Sequence, residues 1–270
     1  MRAAVIGHVE WVEFVRVESL PAPGEIAHAT ETWAEAAGGG AVAAVQLVNL
    51  GCETTLFTAL GGDELGRRSE AQLEQKGVRV CASVVPEPQR RAFTHIDEAG
   101  ERTITVIGDR LVPSRADRLP WERLADAAGI YFTGGDVGAL EVAREARVLV
   151  ATPRTMATLK EARVELDALV GSATDPGERY EPGELDPPPR LRVATMGAKG
   201  GMAEPGGSFA AAPLPGPIED AYGAGDSFAA GLTYGLASGW STSDAIALAA
   251  RCGAAAVTGP GAFEGQLAIA

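Results

Sequence analysis

The sequence predicts an α/β protein: a three-layer α/β/α domain with a mostly parallel central sheet, plus a small β-sheet lid. Three observations support this expectation. Short apolar segments alternate with helical segments along most of the 270 residues, which is typical of a parallel sheet covered by helices. Glycine closes several of the helical segments, at Gly51, Gly77 and Gly239. The alternation is interrupted by extended segments at residues 9–34 and 86–106, which we expect to form the lid.

The first third of the chain contains both lid pieces and the first strand–helix pairs. A proline turn at residues 21–24 separates two extended segments, and Glu98-Ala99-Gly100-Glu101 joins two strands of a β-hairpin at 93–97 and 102–107. Strands are expected at 3–6, 54–60 and 78–85, and helices at 41–50 and 64–76. The large domain then comprises residues 1–8, 35–85 and 107–270, with the lid inserted in two pieces.

The remaining residues continue the alternation. Strands are expected at 130–132, 148–151, 168–170 and 193–195, an antiparallel pair within 200–213, and helices at 226–238 and 243–257. Ser241 and Asp244 have the spacing of a capping box at the start of the last helix. Residues 171–190 are rich in proline, glycine and acidic residues and predict a loop.

Composition excludes several classes of partner. The formal net charge of −13 argues against nucleic acid and against an anionic membrane surface, because both require a basic face. The longest apolar stretch, residues 245–257, is too short to span a bilayer. Three widely spaced cysteines predict free thiols, and together these features predict a cytoplasmic protein that acts on a small molecule.

One motif carries most of the functional information. Gly223-Ala224-Gly225-Asp226 comes directly before apolar residues at helical spacing, so a helix begins near Asp226. Small residues at a helix start leave unpaired N–H groups open to a ligand, at the positive end of the helix dipole. Gly223, Ala224 and Gly225 therefore predict an anion hole suited to a transferred phosphoryl group.

The carboxylate of Asp226 has two possible uses. It could cap the helix, which contributes about 1 kcal/mol and is very common. It could also act as a general base that accepts the proton of a substrate hydroxyl during attack on a γ-phosphate. The flanking residues favour the second use.

Residues 218–231, Ile-Glu-Asp-Ala-Tyr-Gly-Ala-Gly-Asp-Ser-Phe-Ala-Ala-Gly, closely resemble the C-terminal signature of the ribokinase-like (PfkB-type) carbohydrate kinases. The family pattern is Asp-Thr-x-Gly-Ala-Gly-Asp-x-Phe-x-x-Gly, from which only Ala221 departs. The resemblance extends to Gly38-Gly39-Gly40 and Gly61-Gly62-Asp63, and to residues 50–54, 73–78, 100–103 and 257–262. It implies an ATP-dependent kinase in which Asp226 is the base and residues 223–225 are the anion hole.

The resemblance also implies ligands for the nucleotide and for cations. Residues 195–200 look like the Thr-x-Gly-x-x-Gly element that meets the nucleotide phosphates, and so the expected contacts are Thr195, Gly197, Lys199 and Gly200. Asp220 would belong to a K⁺ site beside the anion hole. Magnesium is expected because it neutralises phosphate charge.

The expected Mg²⁺ ligands are Asp175 and Glu178, from Asp175-Pro176-Gly177-Glu178 after a central strand. The family usually has Asn-x-x-Glu in this place. Residues 172–175 are a second possible alignment, and neither run contains asparagine. A solvated acidic loop is therefore an equal alternative.

The acceptor site departs from the family pattern. Typical members have Gly-x-x-Asn-x-Asp after the first strand, but here Glu10 replaces the asparagine and Val12 the aspartate. Ala43 stands where the glycine-rich element usually has asparagine. The remaining candidates for substrate binding are Glu10 and Asp136, together with Gly38 and Gly39. For Glu10, an exposed strand residue is the alternative.

Two alternative functions follow from this departure. One is a nucleoside kinase with an aromatic wall such as Trp11, although lid packing is the simpler role for that residue. The other is a nucleotide-binding protein without kinase activity. The exposed face expected for the lid predicts a possible homodimer through paired lids.

Overall fold

The computed structural model describes residues 1–269, which form helices on both faces of a large sheet and a second, smaller sheet. The strands are β1 (Arg2–Ile6), β2 (Glu10–Arg16), β3 (Glu31–Ala37), β4 (Glu53–Gly61), β5 (Arg79–Val85), β6 (Arg91–Ile96), β7 (Arg102–Ile107), β8 (Gly129–Phe132), β9 (Val148–Ala151), β10 (Ala168–Ser172), β11 (Arg192–Thr195), β12 (Gly201–Glu204) and β13 (Gly207–Phe209). The helices are α1 (Gly39–Asn49), α2 (Glu64–Gln75), α3 (Val137–Ala143), α4 (Met156–Ala162), α5 (Ala224–Ala237) and α6 (Thr242–Ala256).

The large sheet has the order β13-β12-β11-β10-β9-β8-β1-β4-β5. Its strands from β11 to β5 run parallel, and β12 and β13 are added antiparallel at one edge. The carboxyl ends of the parallel strands therefore meet along one edge of the sheet. In open α/β sheets this edge is where ligands bind.

Two apolar cores cover the two faces of the large sheet. Strand side chains such as Val5 and Leu56 pack with α1, α2, α5 and α6 on one face. Ile6 and Phe57 point to the opposite face and pack with α3 and α4. Because neighbouring strand residues point to opposite faces, the apolar strands supply both cores and produce the expected three layers.

The smaller sheet, which we call the lid, has the strand order β3-β2-β6-β7. The register pairs Glu10 with Ala37, Trp11 with Arg91, and Arg91 with Ile107. The start of β2, the end of β3, the start of β6 and the end of β7 consequently lie in one row. We call this row the base of the lid.

The expected elements are confirmed, with small differences at the lid. β3 ends at Ala37 and β7 at Ile107, beyond the predicted lid boundaries at residues 34 and 106. The pairing of β3 with β2 down to Glu10 accounts for the longer strand. The division into two domains at those boundaries remains a prediction.

Ser241 caps α6 as predicted by its spacing to Asp244, whose N–H it accepts at 3.2 Å. Among the helices of residues 1–269, none has both the length and the apolar character that crossing a bilayer requires.

Candidate active site

The start of α5 is open to a ligand. Gly223 precedes the helix with a positive φ of 75°, and a Cβ atom there would lie 2.9 Å from Val42 Cγ1, so both the backbone and the packing require glycine. No side chain caps this helix end among the described residues. A Cβ atom at Gly225 would meet nothing within 4 Å. The start of α5 therefore has no side-chain cap and has free space beside Gly225, as an anion site at a helix start requires.

Asp226 is the third residue of α5 and lies half-buried at this opening. Burial, and then the negative charge of Glu178, raise its pKa from 3.8 to about 6. The Tyr131 hydroxyl donates a hydrogen bond to Oδ1 at 3.2 Å and, with Arg154 and Arg102, acts in the opposite direction. Because Gly223 is the residue at the capping position, helix capping does not explain Asp226.

Gly38 and Gly39 lie directly between Asp226 and the start of β2. A Cβ atom on Gly39 would be 2.8 Å from Asp226 Oδ1 and 3.0 Å from Thr133 Oγ1. A Cβ atom on Gly38, whose φ is 87°, would be 3.1 Å from the Glu10 nitrogen. The two glycines thus permit the close approach of these groups, and their contact with a substrate remains a prediction.

Glu10 is buried, so the alternative of an exposed strand residue is wrong. Its Oε1 lies 3.3 Å from His8 Nε2 and 2.8 Å from Arg90 Nε. Burial alone would raise the pKa of Glu10, but His8, Arg90 and Arg110 outweigh burial and lower it. Burial lowers the pKa of His8, which is therefore neutral at pH 7. Glu10 is the ionised centre of this cluster, and its role as a substrate ligand remains a prediction.

The other two positions that depart from the family pattern are apolar and buried. Val12 and Ala43 are both fully covered and belong to the core on the α1 and α5 face. Trp11 is also buried, and the Arg68 guanidinium lies 4.4 Å from the centre of its ring. Packing of the lid therefore explains the burial of Trp11, and these contacts give no support for Trp11 as an aromatic wall against a nucleoside base.

Asp136 caps α3. Its carboxylate accepts hydrogen bonds from Ala139 N at 2.8 Å, from the Ser114 hydroxyl at 2.6 Å and from Arg115 N at 3.0 Å. These bonds lower the pKa of Asp136 in spite of its partial burial. A structural role explains all of these contacts, and the predicted contact with substrate has no support from them.

The predicted nucleotide residues form one turn at the carboxyl edge of the sheet. Thr195 ends β11, and its hydroxyl lies 3.4 Å from the carbonyl oxygen of Gly171 at the neighbouring strand end. A 3₁₀ turn at Gly197–Lys199 follows, and Gly200 with a φ of 80° leads into β12. The four residues are thus close together in space, and their contact with phosphates remains a prediction.

The predicted magnesium ligands are both paired with Arg154. The guanidinium lies 2.6 Å from Asp175 Oδ2 and 2.5 Å from Glu178 Oε1, while Glu178 Oε2 accepts from Ser172 N at 2.9 Å. Within residues 1–269 no group of three potential ligands surrounds a metal position. Two carboxylates still fit the way Mg²⁺ is usually held, which is by one or two carboxylates together with substrate phosphates and water.

Asp220 lies in the loop before α5 and is fully buried. Its carboxylate accepts from Tyr222 N at 2.8 Å and from Gly261 N at 3.1 Å, and burial raises its pKa. No ion pair to a described residue compensates its charge. A buried carboxylate oxygen of this kind fits a monovalent cation, as the resemblance implies.

The structure adds four residues to the site that the sequence alone did not indicate. Tyr131 belongs to β8, and its hydroxyl contacts Asp226. Arg154 follows β9 and pairs with Glu178. Arg90 and Arg110 lie on either side of the β6–β7 hairpin, and Arg90 pairs with Glu10. Their separation from Asp226 in the chain is large, and none belongs to a short motif. The adjacent basic residues Arg90 and Arg91 at the start of a lid strand were the one available signal.

Comparison with known proteins gives a consistent assignment. The model of the pfkB family carbohydrate kinases matches residues 2–163 and 146–268. A ribokinase from Dictyostelium discoideum is 32% identical over 106 residues, or 38% of this chain and 33% of that protein. The aligned part thus spans about a third of that relative's length.

Solved structures match over nearly the full chain. Ribokinase from Cryptococcus neoformans var. grubii serotype A, in complex with ADP, has a TM-score of 0.76 and 25% identity and covers 99% of this chain and 97% of its own. Arabidopsis thaliana ribokinase, complexed with ribose and ATP, has a TM-score of 0.76 at 21% identity, covering 98% and 95%. Escherichia coli phosphofructokinase-2 with fructose-6-phosphate has a TM-score of 0.70 at 15% identity, covering 95% and 93%. The last two show a shared fold.

Proposed function

Because the chain belongs to the pfkB family of carbohydrate kinases, we propose that it transfers the γ-phosphoryl group of ATP to a hydroxyl of a sugar or sugar-like molecule, with Asp226 as general base. The observation that carries this assignment is the carboxylate of Asp226 at the open start of α5. A base works best when its pKa lies near the working pH, and burial raises that of Asp226 to about 6.

The proposed reaction is a direct displacement at phosphorus. Asp226 accepts the proton of the acceptor hydroxyl while that oxygen bonds to the γ-phosphorus. The bond from the γ-phosphorus to the oxygen bridging it to the β-phosphate breaks, and ADP leaves. Tyr131 holds Oδ1 of Asp226 by its hydrogen bond, which keeps the carboxylate in one orientation.

Backbone N–H groups of Gly223, Ala224 and Gly225 stabilise the charge on the phosphoryl oxygens during transfer. The support for this role is the free space at Gly225 and the absence of a side-chain cap within the described part of α5. Donors that are already in place need no reorganisation during the reaction, which is why such holes lower barriers effectively.

The turn containing Thr195, Gly197, Lys199 and Gly200 binds the nucleotide phosphates in this proposal. Asp175 and Glu178 hold Mg²⁺ together with the nucleotide, and Asp220 holds K⁺. Magnesium supplies charge neutralisation on the β- and γ-phosphates. Arg154 remains paired with both carboxylates and keeps a positive charge beside Asp226, whose pKa it lowers.

Asp226→Asn tests the assignment. It should abolish ADP formation with every acceptor in a panel of sugars and polyols, while ATP binding measured by calorimetry stays near the wild-type value. Asp126→Asn is the control, because Asp126 is exposed and pairs with Arg2, at the start of β1 and therefore at the opposite edge of the sheet. Substantial turnover by Asp226→Asn would refute the role of the base.

The same panel tests the alternatives. Phosphorylation of a nucleoside in preference to all sugars would favour a nucleoside kinase. Trp11, the aromatic residue that suggested this alternative, is buried and gives it no support. ATP binding without turnover of any acceptor would favour a protein that only binds nucleotide.

A further inference from the structure

Two arginines enter the site from neighbouring strands at the base of the lid. Arg90 directly precedes β6, and Arg110 lies three residues after the end of β7. The β6–β7 register pairs Arg91 with Ile107, and a Cβ atom at Gly108 would lie 3.9 Å from the Cα atom of Arg90. The hairpin thus brings the two arginines to the same end of the lid.

The backbone holds Arg90 firmly in this place. The preceding residue, Gln89, is buried and donates to Val9 O at 2.8 Å, while its side-chain oxygen accepts from Gly61 N at 3.0 Å. Its own N–H donates to Asp63 Oδ2 at 3.0 Å. The Gly61-Gly62-Asp63 element at the end of β4 therefore fixes Gln89, and with it the neighbouring Arg90 at the start of β6.

Packing also places the segment of Arg110 beside the site. A Cβ atom on Gly134 would lie 3.0 Å from Val112 Cγ1 and 3.6 Å from His8 N. Val112 follows Arg110 by two residues, so this segment crosses the ends of β1 and β8. These are the strands that lead to His8 and to the Gly134 loop.

The charges of His8, Glu10, Arg90 and Arg110 do not balance among themselves. Glu10 contacts Arg90, and His8 is neutral because burial lowers its pKa. Arg110 makes no ion pair or side-chain hydrogen bond with any residue in the range 1–269. Burial, then the positive charge of Arg90, lower the pKa of Arg110, and Glu10 and Asp226 only partly oppose this.

When Asp226, the proposed base, is not counted, the cluster of His8, Glu10, Arg90 and Arg110 has one excess positive charge in a protein with a formal net charge of −13. Arg90 Nε lies 2.8 Å from Glu10 Oε1 as an ion pair, but it is buried and makes no hydrogen bond to a described residue. Two guanidinium groups with unused donors favour an anionic ligand.

We propose that Arg110 and Arg90 bind an anionic group of the acceptor, a carboxylate or a phosphate, so that this kinase acts on sugar acids or sugar phosphates. The proposal rests on the proposed function and deepens it. The apolar residues Val12 and Ala43 support it, because they withdraw two polar contacts that a neutral sugar would use. Glu10 then serves as the counter-charge that positions Arg90.

The test compares anionic and neutral acceptors in wild type and Arg110→Met. Gluconate and glucose 6-phosphate represent the two anionic groups, and ribose and glucose are the neutral probes. Binding is measured by calorimetry with the nucleotide site filled by a non-hydrolysable ATP analogue, and KM and kcat from ADP formation. Arg118→Met is the control, because Arg118 is exposed on the same segment and forms no ion pair with a described residue.

Wild type should bind at least one anionic probe more tightly than both neutral sugars. Arg110→Met should raise the KM for that probe by about 10- to 100-fold, the usual effect of losing a charge-assisted hydrogen bond, with the KM for ATP unchanged. Arg110→Lys should recover part of the loss, and Arg118→Met should behave as wild type. The probe that responds identifies the carboxylate or the phosphate as the bound group.

Three results would overturn the proposal. Wild type could bind a neutral sugar more tightly than both anionic probes, or it could bind neither anionic probe. The third is an Arg110→Met variant whose only change is a higher KM for ATP. The last would assign Arg110 to the nucleotide. Phosphorylation of ribose or glucose with these results would leave the kinase assignment intact. Absence of ADP formation with every probe would contradict the proposed function separately from the binding result.

Discussion

Replacing Asp226 by asparagine should stop phosphoryl transfer and stabilise the fold above pH 6. In the folded protein, burial and the charge of Glu178 raise the pKa of Asp226 to about 6, against 3.8 without these influences. The fold therefore disfavours the ionised form. The unfolded chain loses this proton at a lower pH than the folded chain, so the stability of the wild type falls as pH rises from about 4 to about 6.

The magnitude follows from the difference of about two pKa units at about 1.4 kcal/mol each. Wild type loses at most about 3 kcal/mol at pH 8 and about 1 kcal/mol at pH 4.5. Asparagine has nearly the same shape and no charge, so the variant avoids this loss. For a chain of this size we expect the melting temperature at pH 8 to rise by roughly 5–10 °C, with a much smaller rise at pH 4.5.

Thermal unfolding followed by calorimetry at several pH values between 4.5 and 8 measures this effect. Asp126→Asn is again the control, because its carboxylate is exposed. A stabilisation by Asp226→Asn that does not grow with pH would show that the Asp226 carboxylate is not destabilised in the fold. Activity of the wild type should rise with pH along a limb whose apparent pKa is about 6, because only the ionised form can accept the proton.

Three further predictions concern the groups around Asp226. Tyr131→Phe removes the hydrogen bond that favours the ionised carboxylate, so the acidic limb of the kcat/KM profile should move up by about one pH unit, and an unmoved limb would contradict that role. Gly39→Ala places a methyl group 2.8 Å from Asp226 Oδ1 and should lower kcat by about a hundredfold, whereas Gly216→Ala, with no contact closer than 3.6 Å, should leave it unchanged. Gly225→Ala has room in the fold and should keep or slightly raise the melting temperature, as alanine does in a helix, but the methyl group would obstruct the anion hole and reduce turnover. Equal activity of this variant and wild type would contradict the position assigned to the phosphoryl group.

The lid contributes residues to the proposed acceptor site. Gln89 links the lid to the end of β4, and the β6–β7 hairpin carries Arg90 and Arg110 on its two flanks. A displacement of the lid therefore moves both arginines together relative to Asp226. If the two arginines bind the acceptor as proposed, specificity for the acceptor depends on the position of the lid.

The α/β fold, its element order and the role proposed for Asp226 could be predicted from the sequence because each depends on local patterns. Apolar periodicity and closing glycines determine strands and helices within a few residues. The small residues before Asp226 likewise produce an open helix start without help from distant parts of the chain. The departures from the family pattern at Glu10, Val12 and Ala43 are also visible in the sequence, because they depend only on the residue types within a motif.

Only the tertiary structure decided which side chains surround Asp226. Tyr131 contacts Asp226, and the charge of Arg154 acts on it, because the carboxyl ends of parallel strands converge at one edge. Both residues are far from Asp226 along the chain, so the sequence does not reveal this proximity. Glu10 looked either exposed or substrate-binding from its strand alone, whereas pairing of β2 with β6 buries it against Arg90. Burial and charge depend on all neighbouring groups in the fold. The raised pKa of Asp226, and the lack of an ion pair between Arg110 and any of residues 1–269, therefore depend on the tertiary structure.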